Sequence, residues 1–161
     1  VRTGLAMVEL PGRFQIIPGQ PTMVLDVAHN PHSVAALAAN LDAMGYFPVT
    51  HAVFGAMADK DLTPMLNKIG PLIDRWYFTD LPTSSTHQAA QPPQTRKALQ
   101  MVAGTKREVK TSLHANPEAA LQAAIAAADP ADRIVVFGSF YTVGGVLQHG
   151  TPRLQAKHLG A

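Results

Sequence analysis

Along most of this 161-residue chain, short β-type runs alternate with stretches of helical period. That alternation constrains the fold more than any other feature. Runs rich in β-branched and aromatic residues fall at 13–17, 23–25, 50–57, 75–79, 107–111 and 134–137. Apolar residues at helical spacing fall at 33–44, 62–69, 95–102, 119–128 and 141–149. The order is two strands, then helix and strand in turn to a final helix. Such an order predicts an α/β fold with a mostly parallel sheet of about six strands and helices on both faces. The prolines and glycine at 18–21 make a turn, so the first strand is expected to pair antiparallel with the second.

One stretch organises the rest: Met23-Val24-Leu25-Asp26-Val27-Ala28-His29-Asn30-Pro31-His32. It opens as a buried strand and closes on Asn30-Pro31, a capping residue followed by proline at the first helical position. Gly45 supplies the helix stop. Asp26 and His29 therefore fall where the carboxyl end of a strand meets the positive end of a helix. In open α/β sheets, ligands bind in that crevice. Two further strand-to-helix turns carry polar groups, Asp59-Lys60-Asp61 and Ser139. Parallel strands deliver all three turns to one rim, where a lysine, a serine and two helix N-termini favour an anion or a nucleotide. The plainer alternatives are an Asp26 that bonds its own turn, a loop histidine and a capping serine.

Composition narrows the chemistry. Without cysteine there is no disulfide framework, thiolate metal site or cysteine nucleophile. His29 and His32 lie three apart, but no third ligand has suitable spacing, so no metal site is expected. Ser139 lacks the GxSxG elbow of a hydrolase nucleophile. The bases between Arg96 and Lys110 are scattered over three elements without interleaved aromatics, so no nucleic-acid partner is expected. No apolar run reaches the roughly 20 residues that span a bilayer, and no signal peptide is visible. A cytoplasmic location is expected. The chain starts at Val1 and has no GxxxxGK[ST] loop, so it reads as a piece of something longer. Residues 1–12, ending Leu10-Pro11-Gly12, read as a linker, 81–93 as a binding or mobile loop, and 150–161 as a tail.

Four segments taken together point to a family: Leu10-Pro11-Gly12-Arg13-Phe14-Gln15, Leu25-Asp26-Val27-Ala28-His29-Asn30-Pro31-His32, Phe54-Gly55-Ala56-Met57-Ala58-Asp59-Lys60-Asp61, and Phe137-Gly138-Ser139-Phe140-Tyr141-Thr142-Val143. Over about residues 8 to 149 the chain resembles the C-terminal domain of bacterial bifunctional dihydrofolate synthase/folylpolyglutamate synthases, within the Mur ligase superfamily. The resemblance implies a Rossmann-like domain over 13–149. It also implies a partner in cis, an N-terminal P-loop domain that uses ATP and Mg²⁺ to phosphorylate a dihydropteroate or folate carboxylate. The C-terminal domain would bring L-glutamate, whose amine attacks the acyl phosphate.

By the same resemblance Arg13 and Asp26 would reach ATP, with Asp26 accepting from ribose hydroxyls, while His29, Lys60 and Ser139 would line the glutamate site. No catalytic residue is assigned within this chain, which alone would be inactive, and the enzyme would be a monomer. Where the family often carries a proline–arginine pair, this chain has Pro82-Thr83-Ser84-Ser85-Thr86. The alternatives are a peptidoglycan-precursor ligase domain with the same chemistry, or a non-catalytic anion-binding or receiver-like module. A receiver wants an acidic cluster near its first strand, and Glu9 is the only acid before Asp26.

Overall fold

The expected runs pair into one six-stranded sheet in the order β1-β2-β6-β3-β4-β5. The fold comes from a computed structural model that describes residues 14–57, 62–81, 90–100 and 109–147. The strands are β1 (Gln15–Ile17), β2 (Thr22–Leu25), β3 (Thr50–Phe54), β4 (Arg75–Thr79), β5 (Lys110–His114) and β6 (Arg133–Phe137). The helices are α1 (Pro31–Ala43), α2 (Leu62–Ile69), α3 (Pro92–Gln100), α4 (Pro117–Ala127) and α5 (Phe140–Val146), with a 3₁₀ turn at Gly70–Leu72. Among the described strands only β1 runs antiparallel, pairing Gln15 with Leu25. All the other strand pairs are parallel. The α/β class, the strand number and the antiparallel first strand all hold.

The two faces follow from the period of two along each strand. Val24, Ala52, Phe54, Trp76, Phe78, Val135 and Phe137 point to one side and pack under α1, α2 and α3. Met23, Leu25, Val53, Tyr77, Ile134 and Val136 point to the other, against α4 and α5. Handedness explains the split. The crossovers from β2 to β3, β3 to β4 and β4 to β5 travel one way along the sheet. The crossover from β5 to β6 travels back, and a right-handed connection then puts its helix on the opposite face. The sheet thus reverses direction at β6, between β2 and β3. Every residue of β6 is buried.

Helix starts use the expected chemistry. Asn30 Oδ1 accepts from Ser33 N at 2.8 Å, and Ser33 Oγ accepts from Asn30 N at 3.2 Å, a reciprocal capping pair with Pro31 behind it. Asn116 repeats the cap, accepting from Ala119 N at 2.8 Å ahead of Pro117. Gly45 follows α1 at φ +98°.

At the amino ends of the strands lies a buried polar layer. Arg133 donates to Leu41 O at 2.7 Å and twice to Thr50 Oγ1, and its guanidinium lies 4.5 Å over the Phe47 ring. His51 bridges Tyr77 and Asp132 at 2.9 and 3.0 Å. The Asp132 carboxylate can only accept, so Nε2 carries the imidazole proton and Nδ1 accepts from the tyrosine hydroxyl. Burial pushes the His51 pKa down, against the pull of Asp132, and pushes Tyr77 up.

Several boundaries differ from expectation, two of them for a plain reason. β5 begins at Lys110 rather than 107, because its register is fixed by pairing with β4, Arg75 against Lys110. β3 stops at Phe54 instead of continuing to 57, although Gly55 N still donates to Phe137 O of β6. α3 starts on Pro92, inside the segment read as loop, since proline suits a first helical position. The expected linker 1–12 and tail 150–161 lie outside the described residues.

Candidate functional site

Three turns leave the carboxyl ends of β2, β6 and β3, and backbone hydrogen bonds join them side by side. Asp26 N donates to Val136 O at 2.9 Å, extending the β2–β6 ladder one step. Gly138 N donates to Ala28 O at 2.9 Å, and Gly55 N to Phe137 O at 3.4 Å. The rim expected from strand direction is therefore a continuous surface at the point where the sheet reverses.

Gly138 makes the closest approach possible. It sits at φ +119°, and a Cβ there would overlap the Gly55 carbonyl. Only glycine satisfies both conditions.

Asp26 and His29 line one cavity of about 220 Å³, together with Phe14, Ala28, Ser33 and Ala36. Asp26 is half-buried, and its Oδ1 accepts from Ala28 N at 2.9 Å, which shapes the turn. His29 is half-buried, and its Nδ1 lies 2.9 Å from Val27 O. A carbonyl can only accept, so Nδ1 carries the proton and Nε2 is the basic nitrogen of the neutral ring. The backbone thus fixes both the ring and its tautomer. Phe14 borders the cavity at φ +40°, a conformation uncommon for a bulky side chain.

The start of α1 is largely self-satisfied. Ser33 Oγ takes His29 N and Asn30 N, Asn30 takes Ser33 N and Val34 N, and Pro31 has no N–H. The helix therefore offers a ligand its dipole more than open donors, a narrower contribution than the sequence suggested. His32 is exposed, and no group of three His, Cys, Asp or Glu among the described residues could hold a metal.

Ser139 sits on the neighbouring turn, 4% exposed, and caps α5 by accepting from Thr142 N at 3.1 Å. The structure brings Asp26 and His29 into one cavity and sets Ser139 one strand away. Arg13 and Lys60, with Asp59 and Asp61, lie outside the described residues. So does the Pro82–Thr86 departure.

Sequence reasoning missed Ser33, Phe14 and Thr142. Ser33 had a signal, a hydroxyl three residues after a capping asparagine. Thr142 had the same signal three residues after Ser139. Phe14 had none, because nothing in the chain announces its backbone angle.

The chain matches known proteins over most of its length. A family model described as Mur ligase, glutamate ligase domain, matches residues 12–140. The Escherichia coli (strain K12) dihydrofolate synthase/folylpolyglutamate synthase is 33% identical over 151 residues, covering 92% of this chain and 32% of that protein. The E. coli FolC structure in complex with DHPP and ADP superposes with a TM-score of 0.78 at 32% identity, covering 92% of this chain and 33% of that one. A bifunctional folylpolyglutamate synthase/dihydrofolate synthase with Mn, AMPPNP and L-glutamate bound gives a TM-score of 0.71 at 32% identity, over 87% of this chain and 31% of that one. The chain spans about a third of the length of these relatives. The match runs across most of its length: the chain belongs to the family of Mur ligase glutamate ligase domains.

Proposed function

We propose that this chain is the amino-acid-ligating part of an ATP-dependent enzyme that joins L-glutamate to dihydropteroate, to folates, or to both. The observation that carries the reading is the joined rim at the sheet reversal, with Asp26 and His29 in one cavity and Ser139 on the adjoining turn. Support comes from relatives whose structures hold ADP with DHPP, or AMPPNP with Mn and L-glutamate. The relatives' substrates also favour folates over a peptidoglycan precursor.

In this proposal residues 13–149 form the ligase domain, 1–12 link it to an N-terminal P-loop ATPase domain, and 150–161 are a tail. Asp26 accepts from the ribose hydroxyls of ATP and Arg13 reaches the same nucleotide. His29, Lys60 and Ser139 hold glutamate. The described residues offer no set of ligands for a divalent cation, and the proposal places Mg²⁺ with the nucleotide and the ATPase domain. The chemistry of this part is positioning. Its residues hold the amine of glutamate against an acyl phosphate delivered across the cleft, which replaces a bimolecular encounter and is worth several orders of magnitude in rate. An amide forms and phosphate leaves. The enzyme is proposed to act as a monomer in the cytoplasm, a compartment that suits a cysteine-free chain.

The test is an assay of the parent protein with ATP, L-glutamate and either dihydropteroate or a reduced folate. ADP release that requires both glutamate and the pterin substrate is expected, and residues 1–161 alone should give none. ADP release that needs neither, or that needs a peptidoglycan precursor instead, would overturn the reading.

A further inference from the structure

We propose that Thr142 is a positioning residue that sets Ser139 and, through it, the amino-acid substrate. The proposal rests on the assignment of Ser139 to the glutamate site. Thr142 is fully buried. Its Oγ1 donates to Gly55 O at 2.6 Å, which uses its one hydroxyl proton, since a carbonyl can only accept. The 3.0 Å contact between the Ser139 and Thr142 hydroxyls must then run from Ser139 O–H to Thr142 Oγ1. Thr142 N–H donates back to Ser139 Oγ at 3.1 Å. One residue thus fixes the Ser139 oxygen with its backbone and holds the Ser139 proton with its side chain.

The arrangement primes Ser139 for an anion. Its proton rests on a neutral acceptor, Thr142 Oγ1. A carboxylate makes a charge-assisted bond roughly twice as strong as a neutral one, so it can draw that proton while the oxygen stays where the Thr142 N–H holds it. Freed of Thr142 Oγ1, the hydroxyl would sample other staggered positions and present its proton less often.

Thr142 also ties two turns together. Its bond to Gly55 spans 87 residues and joins the turn after β3, which leads toward Lys60, to the turn that carries Ser139. Gly55 has no room for a side chain: an added Cβ would meet Thr79 Cγ2 at 2.8 Å, Leu81 Cδ2 at 2.9 Å and Thr142 Oγ1 at 3.1 Å. The hydroxyl thus adds a side-chain tie to the backbone bond from Gly55 N to Phe137 O that already joins the two turns.

The test is a double-mutant cycle in the full parent protein, with KM for glutamate and for ATP measured separately and thermal unfolding run alongside. Thr142→Val should raise the glutamate KM by roughly three- to tenfold and leave the ATP KM within about twofold of wild type. Thr142→Ser, which restores the hydroxyl, should recover most of the loss. In a Ser139→Ala background, Thr142→Val should add nothing to the glutamate KM. Should Thr142→Val fail to fold, Thr142→Ala carries the same comparison without added bulk. A Ser139→Ala defect with a folded Thr142→Val of normal glutamate kinetics would overturn the positioning role and leave the glutamate site standing. Additive effects of the two changes would overturn it as well. Normal glutamate kinetics in Ser139→Ala would remove Ser139 from the substrate site, and the role of Thr142 with it.

Discussion

The backbone N–H of Gly138 donates to the carbonyl of Ala28 at 2.9 Å, so the turn after β6 leans directly on the turn that carries Asp26 and His29. No side chain mediates the contact. The spacing of the rim is set by main chain, and glycine at 138 is what permits it.

Gly138→Ala should therefore be among the most damaging single changes on this rim. The substitution combines a left-handed backbone angle with a Cβ placed on the Gly55 carbonyl. A loss of more than about 3 kcal/mol is expected from strain and forced displacement together. Chemical denaturation of the variant and the parent sequence checks it.

Asp26→Asn separates the turn bond of that side chain from its proposed contact with ATP. The amide oxygen can still accept from Ala28 N, so unfolding stability should fall by less than about 1 kcal/mol. The negative charge is gone, and with it the better acceptor for ribose hydroxyls. In the parent protein the ATP KM should rise several-fold while the glutamate KM stays within about twofold. Steady-state kinetics with each substrate varied in turn decides it.

His29→Ala should show the opposite pattern. Losing one hydrogen bond to a charged ligand is worth about 1.5–3 kcal/mol, or roughly 10- to 150-fold in the glutamate KM. The ATP KM should move far less. If both constants rise together, His29 shapes the turn rather than touching the amino acid.

His51 predicts a pH dependence unrelated to the site. Burial lowers its folded pKa below 6.5, so the unfolded chain binds this proton more readily than the folded one. Its contribution is fully present above about pH 6.5, the unfolded value, and is lost as pH falls from there through the folded pKa. The slope from this one group is at most about 1.4 kcal/mol per pH unit. His51→Gln cannot take up the proton and should flatten that limb. Denaturant unfolding at several pH values between 5 and 8 checks the difference.

How legible the molecule is from its sequence varies with the physical signal. β2 and β6 stand out because Met23-Val24-Leu25 and Ile134-Val135-Val136-Phe137 are continuous apolar runs, as strands buried on both faces must be. α1 and α4 are announced by Asn30-Pro31 and Asn116-Pro117. β5 is misplaced because Lys110-Thr111-Ser112-Leu113-His114 is an edge strand with one apolar residue, and its register comes from β4. Asp26 and His29 are legible because they end a buried strand. The Thr142 bond to Gly55 is not, since it joins residues 87 apart in sequence.

The central position of β6 has a consequence for synthesis. β2 and β3 are not neighbours; each is hydrogen-bonded to β6, which is made last of the six strands. Until residue 137 has left the ribosome, the β1–β2 hairpin and the β3–β4–β5 ribbon have no strand hydrogen bonds between them. Each then carries a raw edge that only β6 can close. The sheet cannot assemble strand by strand as it emerges, and its completion waits on contacts between segments about 80 to 110 residues apart, the kind that slows folding most. The same insertion that builds the rim makes the domain complete itself in one late event.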